Sequence, residues 1–295
     1  MNIIQKRNWY FALSLLVIVP GLITLFLWGL NLSIDFVPGS KITFSSNGRI
    51  EQKQMTEIKN IFSLEKVKVY NIQPSEKSVS FSTQVIDQKK NEAIVNRANN
   101  LNVREEEFAT VGPTIGKETT INALKALTLA SILIVIYITW SFRSVPKPAS
   151  SLRFGICAII ALVHDVLVVV GSFSILGHFF GVQIDSLFVT ALLTIIGFSV
   201  HDTIVVFDRI RENLLRMGAG NFENVVNESI NQTLVRSLNT SLTVIMVLVA
   251  LLLFGGESIR WFVVALLIGV TSGTYSSIFN ASPLLVVWQN LRSKR

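Results

Sequence analysis

The stretch SLFVTALLTIIGFSVHDTIVVFDRI, Ser186 to Ile210, sets the architecture of the chain. From Ser186 to Phe207 it is apolar over the length needed to cross a bilayer, about 20 residues. Asp208, Arg209 and Arg211 close it on one side. Within it lies Asp202, a carboxylate with apolar residues before and after it. A span that carries such a residue has to satisfy it.

Five further windows have the same character: Trp9 to Leu30, Ile121 to Trp140, Phe154 to Leu176, Leu234 to Phe254 and Trp261 to Trp288. The mean hydropathy of +0.53 is too high for an ordinary soluble domain. The first window is too long for a cleaved signal peptide, and NLSIDFVPG after it has no small-x-small site. The single cysteine, Cys157, falls inside the third span, which excludes an intrachain disulfide or a cysteine metal cluster and reads as a small buried apolar residue.

The net charge of +7 points away from nucleic acid once its placement is followed. Lys6 and Arg7 precede span one; Arg143, Lys147 and Arg153 lie between spans two and three; Arg209, Arg211 and Arg216 follow span four; RSKR ends the sequence. The remaining short loops, GHFFGVQID and GGESIR, hold only Arg260. The positive-inside rule therefore places both termini in the cytoplasm.

Between spans one and two lies an extracytoplasmic segment, Asn31 to Thr120. KITFSS alternates; RIEQKQMTEIKNIF carries a helical stripe at Ile50, Met55, Ile58 and Ile61 or Phe62; EKVKVYNI and SVSFSTQV alternate around the turn QPSEK. QKKNEAIVNRANNL reads as a second helix, and EEEFATVGP as a last strand stopped by Gly112 and Pro113. The order β-α-β-β-α-β predicts a small ferredoxin-like α+β domain. It has no His or Cys, and Glu105 to Glu107 read as a solvated edge, with strand alternation placing only two of them on one face. The domains are thus 1–30 (cytoplasmic N-terminus and first span), 31–120 (the external domain) and 121–295 (five spans and a cytoplasmic C-terminus).

Ionisable residues within spans cost roughly 2.5–3.5 kcal/mol at the helix centre and usually serve a function. Spans three and four share Val-His-Asp, in LVHDVLVVVG and SVHDTIVVFD, which places His164, Asp165, His201 and Asp202 in or near the apolar core. At about 1.5 Å per residue, Asp165 lies about 18 Å beyond Arg153, near mid-membrane, and Asp202 about 9 Å before Asp208, in the cytoplasmic half. Arg236 lies about 31 Å from Glu257, near the cytoplasmic edge, and is a neighbour for Asp202 more than for Asp165. Gln232, Arg236, Asn239, Thr240 and Thr243 form a polar stripe on span five. Asp202 and Arg236 fit either a static pair or a proton site. In the second case loss of water disfavours the charged carboxylate and a close guanidinium favours it. Gly269, Ser272, Gly273, Ser276 and Ser277 allow close helix packing. FDRIRENLLRMGAGNFENVVNESI reads as an interfacial amphipathic helix, a turn at Gly218 and Gly220, and a second short helix.

HDTIVVFDRIRENL, NQTLVRSLNTSLTVIMVLVALLLFGG and LIGVTSGTYSSIFNASPLLV together resemble the SecF family of protein-export membrane proteins. LSIDFVPGSKI resembles the family's GIDFxGG segment, with VPGS in place of its glycine pair, and VGPTIGKE resembles its VGPxVG segment. The resemblance covers essentially the whole chain. It implies an all-α six-helix transmembrane bundle, half of an arrangement like the pumps of the resistance-nodulation-division superfamily. It implies a bacterial inner-membrane protein beside the Sec translocon, pairing with a separate SecD chain and using the proton-motive force to help pull preproteins across after the ATP-driven stage. The implied partners are SecD, SecYEG, YajC, unfolded preproteins and membrane lipids, with no enzyme reaction, metal or cofactor. The family's intramembrane carboxylate maps onto Asp202 and its essential arginine onto Arg236, with Asp165, His164, His201, Asn239 and Thr240 as relay neighbours. Two other classes remain: half of a small-molecule or lipid efflux pump, and a non-transporting scaffold.

Overall fold

The computed structural model describes all residues except 1, 47, 76, 144, 147, 148, 219, 220, 294 and 295, and the side chains of 292 and 293. Lys147, Gly220 and the final Lys294 and Arg295, used above for topology and for the turn, lie outside the described residues. The chain divides into two compact units, Met1–Gly29 with Lys125–Ile175 and Leu187–Arg295, and Leu30–Leu124 with Leu176–Ser186.

Among the described residues six helical stretches are long and apolar enough to cross a membrane. They are α1 (Arg7–Trp28), α4 (Pro113–Ser141), α5 (Ser151–Phe180), α6 (Ser186–Met217), α7 (Phe222–Phe254) and the stretch that joins α8 (Arg260–Ser276) to α9 (Ser282–Ser293). The apolar windows of α5, α6 and α8–α9 are 50%, 50% and 56% buried, against 11%, 6% and 17% for α1, α4 and α7. The centre of the first unit is therefore α5, α6 and α8. At one end of it Phe142, Phe154 and Phe207 pack ring on ring, with centroids 4.8–6.1 Å apart. Cys157 is fully buried beside them in the same apolar cluster.

Two helices differ from the sequence reading. The amphipathic segment after Phe207 is not a separate element: α6 continues to Met217, and the expected second short helix is the first part of α7. No proline or glycine interrupts the register between Val200 and Met217, so nothing ends the helix before Gly218, whose φ is +70°. The sixth span is one helix with a π-helical segment, Ser277–Ala281, between α8 and α9. Pro283 accounts for its position. A proline inside a helix has no N–H and crowds the carbonyl four residues back, and a wider turn just before it relieves both. Ser282 Oγ donates to the Ser277 carbonyl at 3.2 Å, satisfying a backbone group in the widened turn.

The second unit carries β1 (Gly39–Ser45), α2 (Gln52–Leu64), β2 (Val69–Pro74), β3 (Ser78–Thr83), α3 (Gln88–Ala98) and β4 (Arg104–Val111). The sheet order is β2-β3-β1-β4 and all three pairings are antiparallel. Alternation along β1 and β3 sends Ile42, Phe44, Val79 and Phe81 to one face, where they meet Ile58 and Phe62 of α2 and Ile94 of α3, all at 0% exposure. Glu51 and Gln54 cap α2 reciprocally, and Asp87 caps α3 through Lys90 N at 2.9 Å. On β4 the alternation assumed for Glu105 to Glu107 is broken by a bulge: Phe44 pairs with Glu105 and Thr43 with Glu107, leaving Glu106 as the extra residue. Glu107 pairs with Lys41 at 3.1 Å, and Glu105 accepts from Asn91 of α3.

The loop between α5 and α6 also belongs to this unit. Ile184 forms a parallel bridge with Leu32, through Ser33 N to Ile184 O and Ile184 N to Asn31 O, both 2.8 Å. Three side-chain amides, Asn31 Nδ2, Asn71 Nδ2 and Gln73 Nε2, donate to the one carbonyl of Gly181 at 3.2, 2.9 and 3.1 Å. Gly181 has φ +67°, and a Cβ there would stand 3.2 Å from Asn71 Oδ1. Gly181→Ala is expected to loosen this attachment by about 1–2 kcal/mol, the cost of a left-handed non-glycine residue. Hydrogen exchange on the full chain should then show roughly 5–30-fold faster exchange at the Ser33 and Ile184 amides.

Candidate functional site

The candidate site is a set of hydroxyls around two carboxylates in the first unit. Asp165, on α5, is 1% exposed. Ser199 of α6 donates to its Oδ2 at 2.6 Å, Ser276 of α8 to the same oxygen at 2.7 Å, and Ser272 of α8 to Oδ1 at 2.7 Å. His164 Nδ1 lies 3.0 Å from Oδ1, and its ring stacks on Tyr275 with centroids 6.3 Å apart. Four polar contacts from three helices thus converge on one carboxylate, which a chain achieves only if the backbones come close. Gly273 permits this: a Cβ there would lie 3.1 Å from Ser199 Cβ and 3.6 Å from Asp165 Oδ2. One turn earlier, Gly269 is filled by the side chain of Ile195. The small-residue stretch expected to serve packing does so, and it also supplies the hydroxyls.

Asp202, on α6, is 3% exposed and more loosely held. Ser277 Oγ lies 3.4 Å from its Oδ2, and that hydroxyl also donates to the Thr274 carbonyl at 3.1 Å. Ser237 of α7 faces the same carboxylate. Ser237 is itself 1% exposed. Nearby, Thr274 Oγ1 and Ser241 Oγ meet at 2.5 Å and tie α8 to α7. On the other side of the π segment, Asn280 and Ser14 of α1 bond to each other at 2.8 and 3.0 Å, and Tyr275 donates to the Tyr10 carbonyl at 2.7 Å.

Of the remaining candidates, His164 joins this cluster through Asp165 and the others lie outside it. Arg236 is exposed and makes no ion pair among the described residues; its neighbour Ser237 is the α7 residue turned toward Asp202. Asn239, Thr240 and Thr243 are exposed as well and face outward from this chain, while Gln232, also exposed, accepts from Asn213 Nδ2 of α6 at 3.0 Å. His201 is exposed, while His164 is bound to Asp165. Ser199, Ser237, Ser272, Ser276 and Ser277 are the site residues that sequence reading passed over as site residues. The i, i+4 spacing of Ser272 and Ser276, on the face that Gly269 and Gly273 open, was the available signal.

Residues 90–291 match the family described as protein export membrane protein SecD/SecF, C-terminal. The chain belongs to the SecD/SecF family. It is 49% identical to the protein translocase subunit SecF of Thermobaculum terrenum, over 98% of this chain and 94% of that one. It is 35% identical to the protein translocase subunit SecDF of Bacillus subtilis, over 99% of this chain and 38% of the longer one. The crystal structure of SecDF from Thermus thermophilus, described as a translocon-associated membrane protein, superposes with a TM-score of 0.84 at 31% identity, covering 98% of this chain and 39% of that chain. The chain therefore spans nearly the full length of the SecF relative and about two-fifths of the SecDF chains. With its six apolar helices, this SecD/SecF member is a multi-pass membrane protein.

Proposed function

We propose that the chain is the SecF-type half of a proton-driven protein-export device, and that it works with a SecD partner beside the SecYEG translocon, with YajC as a further neighbour. The observation that carries this reading is a pair of carboxylates buried among hydroxyls inside the spans of a chain that aligns end to end with a SecF subunit. A structural salt link would put a cation on Asp202, and among the described residues no ion pair does so. A proton site needs a carboxylate that can be neutral in the bundle, with hydroxyls able to follow its change of state, and Ser237 and Ser277 are so placed. Asp202 is the carrier in this reading, Arg236 its electrostatic partner across the exposed face of α7, and Asp165, His164, His201, Asn239 and Thr240 the neighbouring polar groups. The fused SecDF relatives motivate SecD as the chain that covers that face.

In the same reading the first unit is half of a bundle like those of the resistance-nodulation-division pumps. The β-α-β-β-α-β order and the sheet order β2-β3-β1-β4 support a ferredoxin-like external domain. The domain limits are 1–30, 31–120 and 121–295, with both termini in the bacterial cytoplasm and the external domain across the inner membrane, near emerging preprotein. No hydrolytic chemistry is assigned. Two experiments test this. Purification of the tagged chain should bring down a SecD-like protein and the translocon; a chain that comes alone from mild detergent would contradict the assembly. Single cysteines at Ser78 and Ser293 in intact cells should react with an impermeant reagent at position 78 only; reaction at 293 alone would reverse the topology.

A further inference from the structure

Ser276 and Ser277 are adjacent in the chain, yet each serves a different carboxylate. Ser276 Oγ donates to Asp165 Oδ2 at 2.7 Å, and Ser277 Oγ lies 3.4 Å from Asp202 Oδ2. Both serines are fully buried. Each hydroxyl has a second acceptor in its own helix, Gly273 O at 3.2 Å for Ser276 and Thr274 O at 3.1 Å for Ser277. The peptide bond between them is where the sixth span passes from α to π. A π segment is a one-turn widening inside an α-helix, an irregularity frequent at functional sites. Ser237, 1% exposed, also faces Asp202, so that carboxylate has a second hydroxyl beside Ser277.

We propose that Ser276 and Ser277 are positioning residues that couple the two carboxylates, so that protonation of Asp202 alters the hydrogen bonding of Asp165. This rests on the reading of Asp202 as a proton carrier. As a carboxylate, Asp202 only accepts hydrogen bonds; on taking a proton from the aqueous phase it gains an O–H that must donate. Ser277, whose one O–H is shared between Asp202 Oδ2 and the Thr274 carbonyl, then gives it to the Thr274 carbonyl alone and accepts the Asp202 O–H on its Oγ. The shift at the α-to-π junction carries Ser276 with it, and its hydroxyl moves from Asp165 toward the Gly273 carbonyl. Loss of the proton reverses the sequence, and no bond other than hydrogen bonds is made or broken apart from the O–H at Asp202. The other titratable groups around the pair are His164 against Asp165, Tyr275 stacked on His164, and His201 beside Asp202 on its own helix.

The test is pH-difference infrared spectroscopy of the full chain, purified with its co-expressed SecD partner and placed in lipid vesicles. Asp202→Asn identifies the carboxyl C=O band of Asp202 by removing it, and Asp165→Asn identifies the Asp165 carboxylate stretch. Asp165→Glu serves as a second assignment, since it should move that stretch without deleting it. The coupling requires that the Asp165 stretch shift with pH in step with the Asp202 band, that the shift vanish in Asp202→Asn, and that Ser277→Ala or Ser276→Ala each abolish the shift while leaving the Asp202 band present. An Asp165 stretch that still shifts in Asp202→Asn, or that never shifts, overturns the coupling and leaves the carrier reading intact. Absence of any band removed by Asp202→Asn overturns the carrier reading, and the coupling falls with it.

Discussion

Asp165→Ala is expected to destabilise the transmembrane unit by about 2–5 kcal/mol. The substitution removes the acceptor for Ser199, Ser272 and Ser276, whose hydroxyls point at it from two other helices at 2.6–2.7 Å. Hydrogen bonds between membrane helices are worth about 0.6 kcal/mol on average and up to about 1.7. Three of them give the range stated. The site is closed, because α5, α6 and α8 are the most buried helices of the unit, so water is poorly placed to replace the lost acceptor. Ser276 can fall back on the Gly273 carbonyl, which argues for the lower half of the range. Asp165→Asn keeps one carbonyl oxygen as acceptor and should cost less. Reversible unfolding in mixed micelles, comparing wild type, Asn and Ala, checks both the size and the order; an Ala variant as stable as wild type would mean that the hydroxyl cluster does not hold the bundle.

The second large effect is at Asp202. Asp202→Asn should leave the chain assembled with its partner and abolish the gradient-dependent share of export, seen in cells as slow processing of pulse-labelled preproteins. Asparagine preserves shape and hydrogen-bonding capacity but cannot ionise. Among the described residues Asp202 meets Ser237 and, at 3.4 Å, Ser277, a looser setting than the three short hydroxyl bonds of Asp165. Its replacement therefore perturbs packing little, and the loss falls on function. Arg236→Lys keeps the charge but not the planar fork, and is expected to give a similar export defect. Failure of Asp202→Asn to assemble would instead mark the residue as structural.

Much of this architecture was legible in the residues, and the reasons are physical. A transmembrane helix is an average over about 20 residues, so single polar groups such as Asp165 or Asp202 do not hide it. The strands and helices of the external domain show their periods because one face of each is dry: Ile42 and Phe44 on β1, Ile58 and Phe62 on α2. Tertiary contacts left weaker traces. Serines in LIGVTSGTYSSIFNASP read as small packing residues, since close approach and hydroxyl donation use the same side chain. The π segment depends on how α8 and α9 must aim around Pro283, and a one-residue widening leaves no period of its own. The Gly181 attachment joins Asn31, Asn71 and Gln73 to a carbonyl far along the chain, and no local pattern encodes such a pairing. The amphipathic continuation of α6 reads as a separate helix because its polarity changes at Asp208 while its backbone does not.

Of all the measurements, preprotein translocation into inverted membrane vesicles, with and without an imposed proton gradient, tests the central claim most directly. Vesicles carrying the wild-type chain should translocate faster when the gradient is applied, and vesicles with equal amounts of assembled Asp202→Asn complex should run at the gradient-free rate under both conditions. An assembled Asp202→Asn complex that responds to the gradient as the wild type does would contradict the account and leave Asp202 as a structural residue of the bundle.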